Sequence, residues 1–354
     1  MSTALVWFRR DLRLADNPAL HAALEAGHTV IPVYIHAPHE EGEWAPGAAS
    51  NAWLHRSLAG LQDALQARGS RLVLRRGDSL AQLQALIRDT GAEAVFWNRR
   101  YGPATEQRDA LIKRTLREQG LQADSCNGSL MVEPWDLSTQ QGQPYKVFTP
   151  FWRNALTRLH LPQAQPAPPR LPGHEVRSED LAALALQPRL GWDAGFWAHW
   201  QPGEAGAQDA VVTFIEGALE GYRVQRDLPD RVGTSLLSPH LHFGEISPWQ
   251  IVRALEAERR ASRDADIDAY IRELGWREFA HHLLHHFPKT TTENLNPRFD
   301  GFTWAKAAPA DLQAWQRGRT GVPIIDAGLR QLWHTGYVHN RVRMIVASYL
   351  CKHM

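Results

Sequence analysis

The chain has 354 residues, enough for two or three domains with substantial cores. Hydrophobic residues make up 44% and charged residues 22%, which excludes a disordered, collagen-like or coiled-coil protein. The formal net charge of +1 gives no bulk indication of a polyanionic partner. No apolar run approaches the roughly 20 residues of a membrane helix, so we expect no membrane partner. The short N-terminal apolar run and the two cysteines, Cys126 and Cys351, predict a cytoplasmic protein without disulfides.

The first 130 residues alternate short apolar strands with helical stretches. Strands of this kind, separated by helices, are typical of a parallel sheet that is covered on both faces. The sequence therefore predicts an α/β doubly wound parallel-sheet N-terminal domain over residues 1–130. The predicted strands are Ala4–Phe8, Thr29–His36, Arg71–Arg75 and Glu93–Trp97, and the predicted helices are Pro18–Ala26, Ala48–Arg68, Asp78–Asp89 and Pro103–Gln119.

The turn that follows the first predicted strand, Phe8–Asn17, contains no glycine. A dinucleotide pyrophosphate requires close approach of the backbone at this turn, so the sequence argues against an ordinary Rossmann NAD site. No P-loop motif occurs in the sequence either.

A proline-rich stretch at residues 161–173 predicts an extended connector, which we place within residues 131–191. From about Trp192 onward the apolar spacing becomes helical and strand signals are weak, which predicts an all-α domain over residues 192–354. The predicted helices of this domain are Ala207–Leu219, Pro248–Arg260, Ile267–Phe287, Ala308–Arg317, Val322–Thr335 and Val338–His353.

Hydroxyl and backbone N–H groups are concentrated in the segment Thr234–Ser238, just before a helical region. A turn of this composition can hold a phosphate or a pyrophosphate. Serine and threonine at such a position more commonly serve as plain helix caps, and on composition alone that interpretation is favoured.

The predicted helix Ile267–Phe287 has a buried apolar stripe and a second face that carries Glu273, Trp276 and Arg277. An arginine beside a tryptophan suits stacking against a nucleic-acid base. The alternative is a simple surface ion pair, because Glu273 and Arg277 are four residues apart.

Four histidines follow on the same helix and form two pairs at i,i+4 spacing, which can chelate zinc from one helix face. The sequence has no HExxH glutamate and no obvious third ligand, so packing and solvation are the favoured interpretation and we predict no metal. The histidines are His281, His282, His285 and His286.

The last predicted helix, Val338–His353, carries polar groups beside its apolar side. Asn340 and Met344 lie about one turn apart, with Arg341 and Arg343 flanking them. An asparagine amide can donate to, or accept from, the edge of a heterocycle. An exposed polar face is the alternative interpretation.

Three motifs are specific when taken together: WFRRDLR at 7–13, TSLLSPHLHFGEISP at 234–248 and HNRVRMIVAS at 339–348. With YKVFTPFW at 145–152 and ELGWREFAHHL at 273–283, the chain resembles the DNA photolyase/cryptochrome family, most closely the class I cyclobutane pyrimidine dimer photolyases of bacteria. The resemblance implies an antenna-type N-terminal domain and a helical domain that binds FAD and DNA. It also implies that the family's further C-terminal segment is missing from this chain.

The resemblance assigns cofactor, DNA and catalytic roles residue by residue. Implied FAD contacts are Tyr222, Thr234, Ser235, Leu236, Leu237, Ser238, Tyr270, Arg277, Asn340 and Arg343, with Asn340 facing flavin N5. Implied contacts to DNA and its lesion are Arg226, Glu273, Trp276, Arg277, Asn340, Arg341 and Met344. The implied catalytic residues are Glu273, Asn340 and Trp304, the last as the surface member of an electron-transfer chain.

The implied function is light-dependent repair of cyclobutane pyrimidine dimers in UV-damaged DNA, by electron transfer from reduced FAD to a flipped-out dimer. Met344 and Trp276 favour the repair branch, because animal cryptochromes usually carry histidine at the position of Met344. Glu106 resembles a contact to a second, antenna chromophore of folate or deazaflavin type, and we expect a monomer. The alternatives are a cryptochrome-like blue-light photosensor and a fragment that folds without flavin.

Overall fold

The computed structural model describes residues 2–305 and 308–354. The N-terminal region contains five strands and four helices in alternation, as expected for a doubly wound domain. The strands are β1 (Thr3–Phe8), β2 (Thr29–His36), β3 (Val73–Arg76), β4 (Ala94–Asn98) and β5 (Gln122–Cys126). The helices are α1 (Pro18–Glu25), α2 (Ala48–Gln66), α3 (Ser79–Thr90) and α4 (Pro103–Glu118).

All strand pairs are parallel, and the strand order is β3-β2-β1-β4-β5. Successive side chains point to opposite faces of a strand, so β1 contributes to two cores. Val6 and Phe8 pack in one cluster, whereas Leu5 and Trp7 pack in the other. The predicted doubly wound parallel sheet is therefore confirmed, with β5 as a fifth strand that the sequence analysis missed.

The rest of the described chain contains nine helices and short 3-10 turns, which confirms the predicted helical region. They are α5 (Phe148–Leu156), α6 (Glu204–Gly217), α7 (Tyr222–Gln225), α8 (Ser238–Phe243), α9 (Pro248–Glu256), α10 (Asp264–His286), α11 (Pro309–Gln316), α12 (Pro323–Thr335) and α13 (Asn340–His353). The sequence analysis missed α5, α7 and α8.

The helical region has its own large core, formed mainly by α5, α6, α9 and α10. Close approach inside this core requires glycine at one position. A Cβ atom on Gly275 of α10 would lie 2.5 Å from the ring of Trp152 on α5. A smaller cluster of Ile325, Val342 and Val346 joins α12 to α13. Within the described residues, no helix is both long and apolar enough to span a bilayer.

Backbone and side-chain hydrogen bonds fix the helical region against the turn that follows β1. The Arg13 guanidinium is fully buried and donates to the carbonyl oxygens of Gly244, at 2.9 Å, and Gly128, at 2.7 Å. The carboxylate of Glu204 accepts from the backbone N–H groups of Leu14 and Ala15 at 2.8 and 2.9 Å. Arg13 of the WFRRDLR motif and the two residues that follow it therefore join the N-terminal region to the helical region.

Candidate active site

A cavity of about 620 Å³ lies between the helical region and the carboxyl edge of the sheet. This volume is within the range of cofactor and ligand sites. The cavity brings together most of the side chains that the sequence analysis selected from separate motifs. From the predicted set it is lined by Tyr222, Arg226, Thr234, Ser235, Leu236, Leu237, Ser238, Tyr270, Glu273, Arg277, Asn340 and Arg343.

The turn Thr234–Ser238 forms one wall of the cavity and leads into α8. Leu236 has a φ of 55°, a left-handed conformation that a non-glycine residue seldom adopts. The Ser235 hydroxyl is 2.7 Å from the Tyr270 hydroxyl, and Thr234 Oγ1 is 3.0 Å from the Tyr337 hydroxyl. A left-handed residue next to right-handed ones directs successive N–H groups to one side, which suits a phosphate.

Helix α10 supplies a second wall through residues at helical spacing. Tyr270, Glu273, Leu274, Arg277 and His281 all line the cavity. Positions three and four apart on a helix share a face, so one face of α10 points to the cavity while its other side packs in the core. Burial raises the pKa of Tyr270 to about 12, which keeps its hydroxyl protonated at neutral pH.

Arg226 and Glu273 form an ion pair across the cavity between α10 and the end of α7. The hydrogen bond to Glu273 raises the pKa of Arg226 above its ordinary value. Asp227, the next residue, forms an ion pair with Arg341 of α13 at 2.7 Å. A row of alternating charges therefore runs from the cavity to the exposed Arg341.

Arg277 lines the cavity and is partly buried, and its neighbour Glu278 is buried behind the lining. Arg277 donates to the carbonyl oxygen of Ser129 at 2.6 Å, and burial lowers the pKa of this guanidinium. The Glu278 carboxylate accepts from the N–H groups of Met131 and Val132. Burial raises the pKa of Glu278 to about 7, although the nearby Arg277 opposes the shift.

The N-terminus of α13 places Asn340 and Arg343 at the cavity. His339 caps this helix, since its ring nitrogen accepts from the Arg341 N–H at 3.2 Å. Arg343 Nη2 donates to the side-chain oxygen of Asn340 at 3.1 Å. This bond fixes the amide so that its NH₂ group is free to donate, an orientation useful for contact with a heterocycle.

The sequence analysis missed the residues that the sheet contributes to the cavity. Arg10 follows β1, and Arg99, Arg100 and Tyr101 follow β4. In the order β3-β2-β1-β4-β5 the connections leave in opposite directions on the two sides of β1, and ligands bind in the crevice at such a switch point. These residues could have been predicted, because arginines follow the ends of two apolar strands that are adjacent in the sheet.

The cavity lining is rich in arginine, with six guanidinium groups and one carboxylate. Among the described residues, five of the six are paired with a carboxylate on or beside the lining, the exception being Arg343. His242 and His281 also line the cavity, and burial lowers the pKa of each to about 4, so both rings are neutral at pH 7. An anionic ligand fits this lining. The six are Arg10, Arg99, Arg100, Arg226, Arg277 and Arg343.

Three residues predicted to contact DNA lie outside the cavity lining. Trp276 stacks on Phe148 of α5, with ring centroids 3.7 Å apart and planes 10° apart, although 46% of its surface is exposed. Met344 is exposed, and Arg341 is occupied by its ion pair with Asp227. Trp276 thus stacks on the protein's own Phe148 ring. The sequence analysis did not predict this contact.

Trp304 and Glu106, also selected from the sequence, lie apart from the cavity lining. Trp304 is exposed and packs on Phe302, with ring centroids 4.5 Å apart. Glu106 on α4 is 3.1 Å from His285 Nδ1 at the end of α10. The predicted antenna contact is therefore paired with a histidine within the protein.

The histidines of α10 are used in packing and hydrogen bonding. His282 accepts from the Tyr145 N–H at 3.0 Å and also contacts the Pro134 carbonyl oxygen, to which His286 lies 3.0 Å away. Among the described residues, the group whose spacing suits a metal ion is elsewhere, at His39, Glu40 and Asp78.

Comparison with known proteins identifies the family. The profile of DNA photolyase matches residues 4–170, and that of the FAD binding domain of DNA photolyase matches residues 270–354. The chain belongs to the DNA photolyase/cryptochrome family. It is 48% identical to the deoxyribodipyrimidine photo-lyase of Agrobacterium fabrum, over 99% of this chain and 73% of that protein. It is 35% identical to Cryptochrome-1 of Arabidopsis thaliana, over 99% of this chain and 53% of that protein.

A solved structure corrects the predicted subclass. The class III photolyase of Agrobacterium tumefaciens is 46% identical, with a TM-score of 0.94, over 100% of this chain and 73% of that one. The chain is thus similar to a class III photolyase, and the prediction of class I was wrong. Met344 could not give the class, because we used it only to separate the repair branch from animal cryptochromes.

The lining of the cavity fits FAD. The Thr234–Ser238 turn offers hydroxyls and converging N–H groups, and the arginines balance the charge of a pyrophosphate. Asn340 offers a free amide donor at the opposite wall. The residues present therefore offer the hydrogen-bond donors and positive groups that suit a flavin dinucleotide.

Proposed function

We propose that this chain catalyses light-dependent repair of cyclobutane pyrimidine dimers in DNA. The observation that carries the proposal is the arginine-rich cavity, in which the Thr234–Ser238 turn, the α10 face and Asn340 meet. The name of the Agrobacterium fabrum relative, a deoxyribodipyrimidine photo-lyase, supports the reaction class.

Each wall of the cavity has a separate task in this proposal. Thr234, Ser235 and Ser238 hold the pyrophosphate and ribityl groups, and Tyr270 supports the turn through its hydrogen bond to Ser235. Asn340 donates its amide to the edge of the ring system. When bound and reduced, FAD supplies the electron for ring opening on excitation by light. The protein orients donor and acceptor and excludes water between them.

The lesion is proposed to enter beside the row of charges that ends at Arg341. Glu273 is well placed to accept a hydrogen bond from a pyrimidine, after exchanging part of its contact with Arg226. The exposed part of Trp276 offers a stacking surface for an extruded base. Extrusion from the duplex costs less for a damaged base, which favours the lesion over intact DNA.

A repair assay on the purified 354-residue chain tests the proposal. The purified protein with reduced FAD is mixed with an oligonucleotide that contains a thymine dimer, under blue light or in the dark. We expect light-dependent loss of the dimer, together with flavin absorbance near 450 nm in the oxidised protein. An unchanged dimer under saturating FAD and light would overturn the proposal.

A cryptochrome-like photosensor is the second candidate, favoured by the 35% identity to Cryptochrome-1 of Arabidopsis thaliana. It predicts flavin photoreduction without any preference for damaged over intact DNA. The third possibility, a chain that folds without flavin, predicts no flavin absorbance. Binding measured in parallel on damaged and undamaged duplexes separates the first two functions.

We further propose that the protein is a cytoplasmic monomer with domains at 1–130 and 192–354 joined by 131–191. We also propose a second, antenna chromophore of folate or deazaflavin type with a contact at Glu106. The smaller cavity at the carboxyl edge of the sheet, where Tyr34 and Arg108 lie, has a volume of about 50 Å³, well below the ~300 Å³ of small ligand sites, and Glu106 does not line it.

A further inference from the structure

The segment Phe243–Ser247, which joins α8 to α9, is bonded to the N-terminal domain at nearly every residue. The Phe243 carbonyl oxygen accepts from the Leu12 N–H at 3.2 Å, and the Gly244 carbonyl oxygen accepts from Arg13. The Ser247 hydroxyl donates to Asp16. These bonds therefore fix α8, and the turn before it, relative to the N-terminal domain.

Glu245 is the centre of this segment and has no exposed surface. One carboxylate oxygen accepts from Trp53 Nε1 at 2.9 Å and from the Ser57 hydroxyl, both on α2. The other oxygen is 2.5 Å from His240 Nδ1 on α8. A buried carboxylate is costly unless it is fully hydrogen-bonded, so these three donors keep Glu245 in one position.

His240 connects Glu245 to the cavity wall. This histidine is buried on the first turns of α8, two residues after Ser238, and its ring packs edge-on against Trp53 at 5.2 Å between centroids. The Glu245 N–H also donates to the His240 carbonyl oxygen at 2.9 Å. The Glu245 carboxylate thus links His240 of α8 to Trp53 and Ser57 of α2.

We propose that Glu245 is a positioning residue for the Thr234–Ser238 turn. Through His240 it holds α8 against α2 of the N-terminal domain, and thereby keeps the turn in the strained conformation that receives the pyrophosphate. The inference rests on the proposed function, because it assumes that this turn binds the phosphates of FAD. Glu245 itself does not line the cavity.

Glu245→Gln tests the inference with little change in size. The amide oxygen can still accept from the α2 donors, but the NH₂ group then faces His240 Nδ1 and can bond to it only if the ring changes tautomer, so the charge-assisted bond to His240 is lost. We expect faster hydrogen exchange of the backbone amides in 234–238, measured on the protein without flavin, while α4 is unchanged. We also expect affinity for FAD to fall about tenfold or more, with affinity for lumiflavin, which lacks ribityl and phosphate groups, changed about twofold or less.

Glu204→Gln is the matched control, because Glu204 also links the helical region to the N-terminal domain but through α6. It should leave exchange in 234–238 unchanged. Trp53→Phe, which removes one of the two α2 donors to Glu245 and keeps an aromatic ring, should reproduce the direction of the Glu245→Gln effect.

Equal losses for FAD and lumiflavin, or unchanged exchange in the turn, would overturn the inference and indicate a merely structural role. Failure of the unmodified chain to bind FAD would instead contradict the proposed function. The exchange measurement needs no flavin, so it tests the role of Glu245 in either case.

Discussion

Arg226 and Glu273 form the ion pair to which we assign a role in lesion binding. Arg226 is mostly buried, while a third of the Glu273 side chain is exposed, and both line the cavity. A partly exposed carboxylate can exchange its partner at modest cost, because water compensates during the exchange. The proposed contact between Glu273 and a pyrimidine therefore needs only this partly exposed pair to rearrange.

Glu273→Gln should separate lesion binding from flavin binding. The amide keeps the size of the side chain but removes the charge, so the pair with Arg226 is lost. We expect affinity for a dimer-containing oligonucleotide to fall about tenfold, the cost of one charged hydrogen bond, while affinity for FAD stays nearly constant. Glu216→Gln on the exposed face of α6 is the control, and an equal loss there would contradict the assignment.

Glu278 predicts a pH dependence of folding stability. Its pKa is about 7 in the folded chain, against an ordinary value of 4.5. Between these pH values the folded chain binds more protons than the unfolded chain, so stability falls as pH rises through this window. The contribution of this group amounts to about 3 kcal/mol at most.

Glu278→Gln should remove most of this dependence and stabilise the protein at pH 8. The amide oxygen can still accept from the N–H groups of Met131 and Val132. Urea unfolding at a series of pH values measures the effect. A mutant whose unfolding free energy falls between pH 4.5 and 7 as steeply as that of the unmodified chain would refute the assignment.

At the scale of elements, the sequence predicted the strands that are marked by short apolar runs. Strands β1, β2, β3 and β4 are apolar runs, and their centres were placed correctly. The fifth strand, Gln122–Cys126, reads QADSC and lies at the sheet edge, where one side has no partner and polar residues are tolerated. Because this strand is mostly polar, the search for apolar runs did not find it.

The missed helices have a different cause. Helix α5 contains Pro150 in its first turn, which is compatible with a helix start but breaks an apolar pattern. Helix α8 has six residues, and its His240 and Phe243 pack on Trp53 of α2, which is remote in sequence. Local spacing cannot reveal an element whose stability comes from tertiary contacts.

The site was predictable where one helix or turn supplied several groups. Tyr270, Glu273 and Arg277 share one face of α10, and the Thr234–Ser238 turn has a distinctive composition. Arg10 and Arg100 were missed, because their place in the site depends on how the two domains meet. Spacing along the chain carries no information on that arrangement.

Gly244→Ala should disrupt the junction between α8 and the N-terminal domain. Gly244 has a φ of 65°, and a Cβ atom there would lie 2.1 Å from the carbonyl oxygen of Arg10. Since both the conformation and the space require glycine, we expect a loss of about 2–4 kcal/mol in the unfolding free energy. Thermal and urea unfolding measure it.

Gly217→Ala is the matched control for this substitution. Gly217 is the last residue of α6, and a Cβ atom there would meet nothing within 4 Å. Alanine in a helix is favoured over glycine, so stability should be unchanged or up to about 1 kcal/mol higher. Similar destabilisation by both substitutions would argue that the domain junction at Gly244 is not special.

At the scale of the whole molecule, function depends on the meeting of two unlike domains. The sheet contributes arginines at its carboxyl edge, and the helical region contributes the turn, the α10 face and Asn340. With a net charge of +1, the chain has little long-range attraction for DNA, so local clusters must provide it. Arg341, which is exposed and paired with Asp227, is the residue that we propose for such a contact.

Arg341→Ala tests whether this residue meets the DNA backbone. Each phosphate contact contributes a slope of about −0.9 to the logarithm of affinity against the logarithm of salt concentration. If Arg341 leaves Asp227 to neutralise one phosphate, the substitution should make the slope shallower by about one for damaged and intact duplexes alike. Arg114, paired with Glu118 on exposed α4, supplies the control substitution. A slope that stays constant while damaged-DNA affinity falls would place Arg341 at the lesion bases instead, because base contacts release no counterions.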